Sequence, residues 1–292
     1  MDLESRKRRI RKLVFASSSL SRALAAGEFS SSFKGRGMDF DGLREYGTDD
    51  DALRMDWNAT ARLGRPYVKT YRDDRNLSVY IVMDESASMD YGEGGGRRET
   101  AAAAASLVAY ACGLNGVRVG GLFFGGEGLQ HVEPDSGRGA VGAFMERIME
   151  GRMGQGTGSD LAGALATTTA HLKRRSLVFV FSDFRISGYA LALSLLARKH
   201  DAAAVLVRDG QGSHRTSTGF AIRAIDAESG RPRLVMRRSA AYREAVERNE
   251  KAARLEWLAS VAAARVPYLE LGPETDPVKA LVEFFGRRRR AS

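Results

Sequence analysis

Two apolar runs of strand length, each stopping at an aspartate, constrain this chain more than any other feature in it. The first, 77–83, carries Val79, Tyr80, Ile81 and Val82 and ends at Asp84; the second, SLVFVF at 176–181, is followed by Ser182 and Asp183. A strand that is apolar at every position, and not at every second one, is covered on both faces. Between such runs lie helix-length segments, and from residue 77 onward the alternation predicts βαβ units around a mainly parallel sheet. Helices are predicted over 98–114, 140–150, 160–172, 189–199 and 240–264, and further strands over 117–124, 202–207 and 267–271. Segment 129–133 is placed to pair with 117–124 across the turn at Gly125 and Gly126. Segments 220–225 and 233–236, separated by Glu228, Ser229 and Gly230, read as an inserted β-hairpin, and Pro277 fits the first turn of a helix over 278–285.

Residues 1–76 have a different character. A basic opening (Arg6, Lys7, Arg8, Arg9, Arg11, Lys12) leads into a serine-rich stretch at 30–32 and then a polar, glycine-punctuated segment. With few apolar clusters of its own, this portion is expected to pack on a main domain at 77–286, leaving 287–292 as a basic tail. Lys and Arg number 45 against 36 acidic residues, a net charge of +9, and much of the excess sits at the two ends. Such clusters read as solvated ends in preference to a nucleic-acid contact. The single cysteine, Cys112, excludes an intrachain disulfide framework and a multi-cysteine zinc site. His131, His171, His200 and His214 lie far apart in sequence with no H-x-x-x-H spacing. The low-charge run 100–117 is broken by Ser106, Gly113, Asn115 and Gly116, so it falls short of a membrane span. The apolar patch at 13–16 is too short for a signal peptide, and a cytoplasmic chain is expected.

In an open parallel sheet, ligands collect at the carboxyl ends of strands, where the loops diverge. Asp84-Glu85-Ser86-Ala87-Ser88 sets one carboxylate and two hydroxyls at alternate positions of one such loop, and alternation in an extended loop turns them to one side. Thr157, Ser159 and Asp160 open a helix after Gly154, Gly156 and Gly158. An all-oxygen set suits a hard, small divalent cation such as Mg²⁺, which keeps several of its waters. The hydroxyls of Ser86, Ser88 and one residue of the 157–159 loop are candidates for direct ligation, with Asp84 and Asp183 holding coordinated waters. Largely neutral direct ligands leave the cation its charge, free to accept a carboxylate from another protein. That is a binding device. No G-x-x-x-x-G-K-[ST] string and no G-x-S-x-G elbow occur, so neither ATP hydrolysis nor serine-hydrolase chemistry is expected.

D-x-S-x-S after a buried strand, a Thr/Ser loop before a helix, and S-D at the end of a later strand resemble the metal-ion-dependent adhesion site of von Willebrand factor A-like domains. Upstream lie Gly42-Leu43-Arg44-Glu45-Tyr46, then Arg54-Met55-Asp56-Trp57-Asn58-Ala59-Thr60-Ala61-Arg62, then Val68-Lys69. Together with the later motifs these resemble the DUF58 family, from about residue 33 to residue 183. The resemblance implies an α/β, Rossmann-like, von Willebrand factor A-type sheet flanked by helices, with an N-terminal appendage and the inserted hairpin. It also implies a non-enzymatic module that holds one Mg²⁺ (or Mn²⁺) at Asp84, Ser86, Ser88, Ser159 and Asp183 and binds an acidic residue of a partner. Its implied partners are a MoxR-type AAA+ ATPase and an unidentified client protein, in assembly or maturation of a complex. Two features depart from the family. Many relatives carry N-terminal membrane helices and this chain has none, and the third hydroxyl is either Ser159 or Thr157, with the family's Thr-Asp-Leu aligning on Ser159-Asp160-Leu161. The competing classes are a metal-dependent phosphoryl or phosphodiester hydrolase, with Glu85 or Asp160 as base, and a nucleic-acid binder acting through the basic ends. Because the site residues sit in strand-end loops, replacing Ser86 or Asp183 is expected to cost little stability. Arg44, Glu45, Tyr46, Asp56 and Trp57 read equally well as a partner surface or as a local polar network.

Overall fold

The strand ends that matter are brought together by one six-stranded sheet. In chain order the elements are β1 (Phe40–Glu45), α1 (Trp57–Leu63), β2 (Tyr67–Tyr71), β3 (Ser78–Asp84), α2 (Gly96–Leu114), β4 (Arg118–Gly125), β5 (Gly128–Asp135), α3 (Arg138–Glu150) and α4 (Leu161–His171). They continue with β6 (Leu177–Ser182), α5 (Ala190–Lys199), β7 (Asp201–Val207), β8 (Ile222–Ile225), β9 (Pro232–Val235), α6 (Ala240–Ala263), β10 (Tyr268–Leu271) and α7 (Pro277–Ala291). This computed structural model describes residues 40–47, 55–71, 78–90, 96–126, 128–151, 158–208, 222–225, 232–235 and 240–291. The basic opening at 6–12, the serine-rich stretch at 30–32, Arg54, Gly154, Gly156, Thr157, His214 and the turn at 228–230 lie outside the described residues.

Every pairing in the sheet is parallel except that of β4 with β5, the antiparallel edge. Side-chain alternation along β3 divides the core in two. Val79, Ile81 and Met83 face a layer built on α2, α3 and α7, while Tyr80 and Val82 face the layer of α4, α5 and α6. Helix α2 lies close to the sheet because its buried face is mostly alanine, from Ala101 and Ala102 through Ala109 and Ala111. Gly121 in β4 has the same use, since a Cβ there would meet the Ile81 carbonyl oxygen at 2.4 Å. From β3 the chain runs to β4 on one side, then returns to β6 on the other and continues outward to β7 and β10. The strand order therefore reverses between β3 and β6, and their carboxyl ends form the crevice where α/β sheets hold ligands. Asp84 ends β3 and Asp183 follows β6.

Outside the sheet, β1 and β2 pair antiparallel around α1. Asp56 Oδ1 accepts the Ala59 N–H (3.1 Å) and caps α1, and Glu45 pairs with Arg65 (3.1 Å), so these two polar side chains serve local structure. Trp57 is 69% exposed. Strands β8 and β9 form the antiparallel hairpin expected after β7. Helix α7 continues through Arg287 to Ala291, the segment the sequence reads as a tail, and Arg288 there pairs with Asp201 (2.6 Å). No helix among the described residues is long and apolar enough to cross a membrane.

One buried titratable group lies far from the crevice. His200, 1% exposed at the end of α5, has both ring nitrogens without a hydrogen-bond partner among the described residues. Burial first, then the charges of Lys199 and Arg175, push its imidazole down from 6.5 to about 4; the nearby Thr169 backbone opposes this without reaching hydrogen-bond geometry. The unfolded chain then binds a proton that the folded chain refuses, so this contribution is intact above pH 6.5 and is lost as pH falls toward 4. His200 is expected to cost about 2 kcal/mol of stability between pH 7.5 and pH 5. Urea denaturation of His200→Leu beside the wild type checks it: the variant should lose that much less, and equal losses would refute the assignment.

Candidate metal centre

The loop after β3 is built around the Asp84 carboxylate. Asp84 is fully buried; its Oδ1 accepts the Ser86 backbone N–H (2.9 Å) and its Oδ2 accepts the Ser182 hydroxyl (2.6 Å) from the neighbouring strand β6. Burial pushes the Asp84 carboxyl above the usual carboxylate range; the hydrogen bonds from Ser182 and Ser86 oppose this, and the Asp183 charge adds to it. A short 3₁₀ turn, Ala87–Asp90, follows and brings the Ser86 and Ser88 hydroxyls to 3.0 Å from each other. Ser86 is buried and Ser88 half-buried.

Asp183 lies across the crevice, 2% exposed at its side chain and paired with Arg97 (2.9 Å), whose own side chain is 3% exposed. The same Arg97 nitrogen donates to the Ser88 carbonyl (2.8 Å), so one guanidinium joins the two strand-end loops. After Asp183 the chain turns through Phe184 at φ 50°, a left-handed conformation rare for a bulky side chain. Packing against Tyr189 (5.4 Å) and Trp257 (6.0 Å) and a hydrogen bond from the Phe184 N–H to Ser182 Oγ (3.0 Å) hold it there. The third loop enters α4. Asp160 caps that helix, its Oδ1 accepting the Gly163 N–H (2.7 Å), and Ser159 precedes it with a buried hydroxyl that has no hydrogen-bond partner among the described residues. The loop is tied to the end of β4 by the Gly126 N–H donating to the Gly158 carbonyl (3.2 Å). Gly125 is in turn pressed against the loop after β3, where a Cβ would meet the Ser86 nitrogen at 2.6 Å.

A second set of cations clamps the loop from outside. Glu85 is fully buried and held by both terminal nitrogens of Arg147 (2.9 and 3.0 Å), whose guanidinium also lies 3.8 Å over the Phe123 ring. Arg98 donates to the carbonyls of Glu85 (3.0 Å), Ser86 (3.4 Å) and Gly151 (3.0 Å) and pairs with Asp90. None of these arginines is evident from motif reading. One signal was available: Arg97 and Arg98 sit in the first turn of α2, where the helix dipole disfavours cations unless something anionic is near.

Asp84, Ser86, Ser88 and Asp183 thus meet at one crevice, with the Ser159 loop beside it through the Gly125–Gly126 turn; Thr157 lies outside the described residues. The side chains offered are oxygen donors. Among the described residues no group of three or more His, Cys, Asp and Glu side chains is placed to hold a metal. Two histidines distant in sequence come together in space: His131 of β5 and His171 at the end of α4 lie 4.6 Å apart between ring centroids, where Tyr80 bonds the first (2.9 Å) and Glu133 the second (2.9 Å).

Fold and site define an α/β protein with a mainly parallel sheet whose reversal point gathers carboxylates, hydroxyls and a buried arginine. The chain belongs to the DUF58 family, described as a protein of unknown function, whose profile matches residues 42–256. Uncharacterized proteins of Mycobacterium tuberculosis and Mycobacterium bovis are each 29% identical to it over 255 residues, 85% of this chain and 79% of theirs. An aerotolerance-related membrane protein from Bacteroides fragilis aligns at TM-score 0.45 and 16% identity, over 74% of this chain and 100% of that one. A likeness of that size says nothing about the site.

Proposed function

We propose that the chain is a non-enzymatic, metal-dependent protein–protein interaction module of the von Willebrand factor A type, which captures an acidic side chain of a partner. The observation that carries this reading is the buried Ser159 hydroxyl, without a hydrogen-bond partner among the described residues, beside a crevice already holding Asp84, Ser86, Ser88 and Asp183. A buried hydroxyl without a partner is costly, and a cation ligand removes that cost. Ser86, Ser88 and Ser159 would hold Mg²⁺ or Mn²⁺ directly, with Asp84 and Asp183 acting through water. When bound, the ion supplies an electrophilic position for a carboxylate. The two carboxylates a hydrolase would need as base are engaged otherwise, Glu85 with Arg147 and Asp160 as the cap of α4. On the family resemblance, the partners are a MoxR-type AAA+ ATPase and a client protein whose complex it assembles or matures, in the cytoplasm.

Ser159→Ala gives a test with a distinctive sign. In metal-free buffer it removes a buried hydroxyl that no described residue satisfies, so stability should stay level or rise by up to about 1 kcal/mol. Mg²⁺ or Mn²⁺ should then stabilise the wild type while the variant shows little response. Thermal melts in EDTA and in increasing Mg²⁺, with calorimetric titration, read both. Equal metal responses in wild type, Ser159→Ala and Ser88→Ala would overturn the site.

A further inference from the structure

A cavity of about 650 Å³ opens directly beside the metal centre, sharing Arg97 and Asp183 with it. Its buried lining includes Leu206 and Val207 at the end of β7 and Trp257 of α6. Its outer wall is the face of α6 from Glu244 to Trp257. We propose that this groove binds a short acidic segment of the partner polypeptide, the segment whose carboxylate occupies the metal's open position; this rests on the metal-dependent reading above.

Size, shape and charge all favour that occupant. The volume lies within the ~300–1,000 Å³ of ligand-binding clefts. At 1.5 Å per residue the lined stretch of α6 is about 20 Å long, which an extended chain spans in about six residues. Trp257 and Leu206 offer an apolar surface for one side chain between two charged ends. At one end lie Arg97 and the metal centre; along the wall, Arg248 and Lys251 are exposed and carry no ion pair with any described residue. Arg185 and Arg254 line the same groove but are engaged by Glu250 (3.1 Å) and Glu270 (2.9 Å). The wall also carries Glu244, Glu247 and Glu250, which would repel a continuous polyanion such as nucleic acid. A peptide with two spaced carboxylates places charge at only two points, the metal centre and the Arg248–Lys251 pair, so the glutamates oppose it less than they oppose a polyanion.

The probe is an array of decapeptides with a central Asp and varied flanks, screened against the full chain in Mg²⁺ and in EDTA. The tightest binder is then titrated onto wild type, Ser88→Ala and the double variant Arg248→Glu/Lys251→Glu. A Trp57→Phe background leaves Trp257 as the sole tryptophan, so its emission reports groove occupancy. The expected result is selection of a second acidic residue in the flank and a Trp257 emission change with peptide but not with Mg²⁺ alone. The charge reversal should weaken binding by at least about tenfold with Mg²⁺ affinity unchanged. Binding that needs Mg²⁺ but ignores the reversal and leaves Trp257 silent overturns the groove and spares the metal site. Binding that responds to the reversal and to Trp257 but ignores EDTA and Ser88→Ala supports the groove and overturns the metal reading. Absence of binding to every peptide overturns the groove.

Discussion

Replacing Arg147 with methionine is expected to cost about 3–5 kcal/mol of folding stability, because it strands the Glu85 carboxylate in the interior without a countercharge. Methionine keeps most of the apolar stem over Phe123, so the loss reports the charge more than the packing. The double variant Glu85→Gln/Arg147→Met should recover much of it, since removing both members of a buried pair is far cheaper than removing one. Urea denaturation of the two single variants and the double completes the cycle. A single-variant loss below about 1 kcal/mol, the range of exposed pairs, would mean that Glu85 reaches solvent. The effect should extend to function: Glu85 lies between Asp84 and Ser86, and its backbone N–H donates to the Phe124 carbonyl (2.7 Å). Losing Arg147 therefore loosens the loop that carries two of the candidate ligands.

The sheet was legible because its signals are local. Continuous apolar runs such as 176–181 mark strands buried on both faces, and the Asp that ends two of them falls at the crevice between β3 and β6. Glycines at 125 and 126 announced the β4–β5 hairpin, and the hairpin of β8 and β9 was visible from its turn residues. Strands β1 and β2 were missed because Phe40–Glu45 and Tyr67–Tyr71 are polar at many positions and find each other only across α1. The site was legible as a set of oxygen donors but not as an electrostatic object. Asp183 read as a loop residue whose replacement costs little; its 2% exposed side chain paired with Arg97 corrects that expectation, since Asp183→Ala would leave a buried guanidinium without its carboxylate. Partners separated by 62 residues (Arg147 with Glu85) or 86 (Arg97 with Asp183) leave no trace in spacing. They meet only once the sheet order is set.

Arg97 provides the sharpest separation between a structural ion pair and a cation site. In metal-free buffer Arg97→Met should lose about 3–5 kcal/mol, because the Asp183 carboxyl, nine-tenths buried or more, is left without its countercharge. If the crevice serves only to pair these residues, divalent cations will not restore that loss. On the metal reading the outcome differs in sign, because the guanidinium that repels an incoming cation is gone and the carboxylates that attract it remain. The variant should bind Mg²⁺ at least about tenfold more tightly than the wild type. Mg²⁺ at a hundred times its own Kd should return about 2.7 kcal/mol of the stability. Thermal melts of both proteins across a Mg²⁺ series, with EDTA as the zero point, read the two quantities together. A variant that is unstable in EDTA and equally unstable in excess Mg²⁺ and Mn²⁺ would reduce Arg97 and Asp183 to a structural clamp. A variant rescued by Mg²⁺ would place a cation between the two strand ends, where Arg97 holds them in its absence.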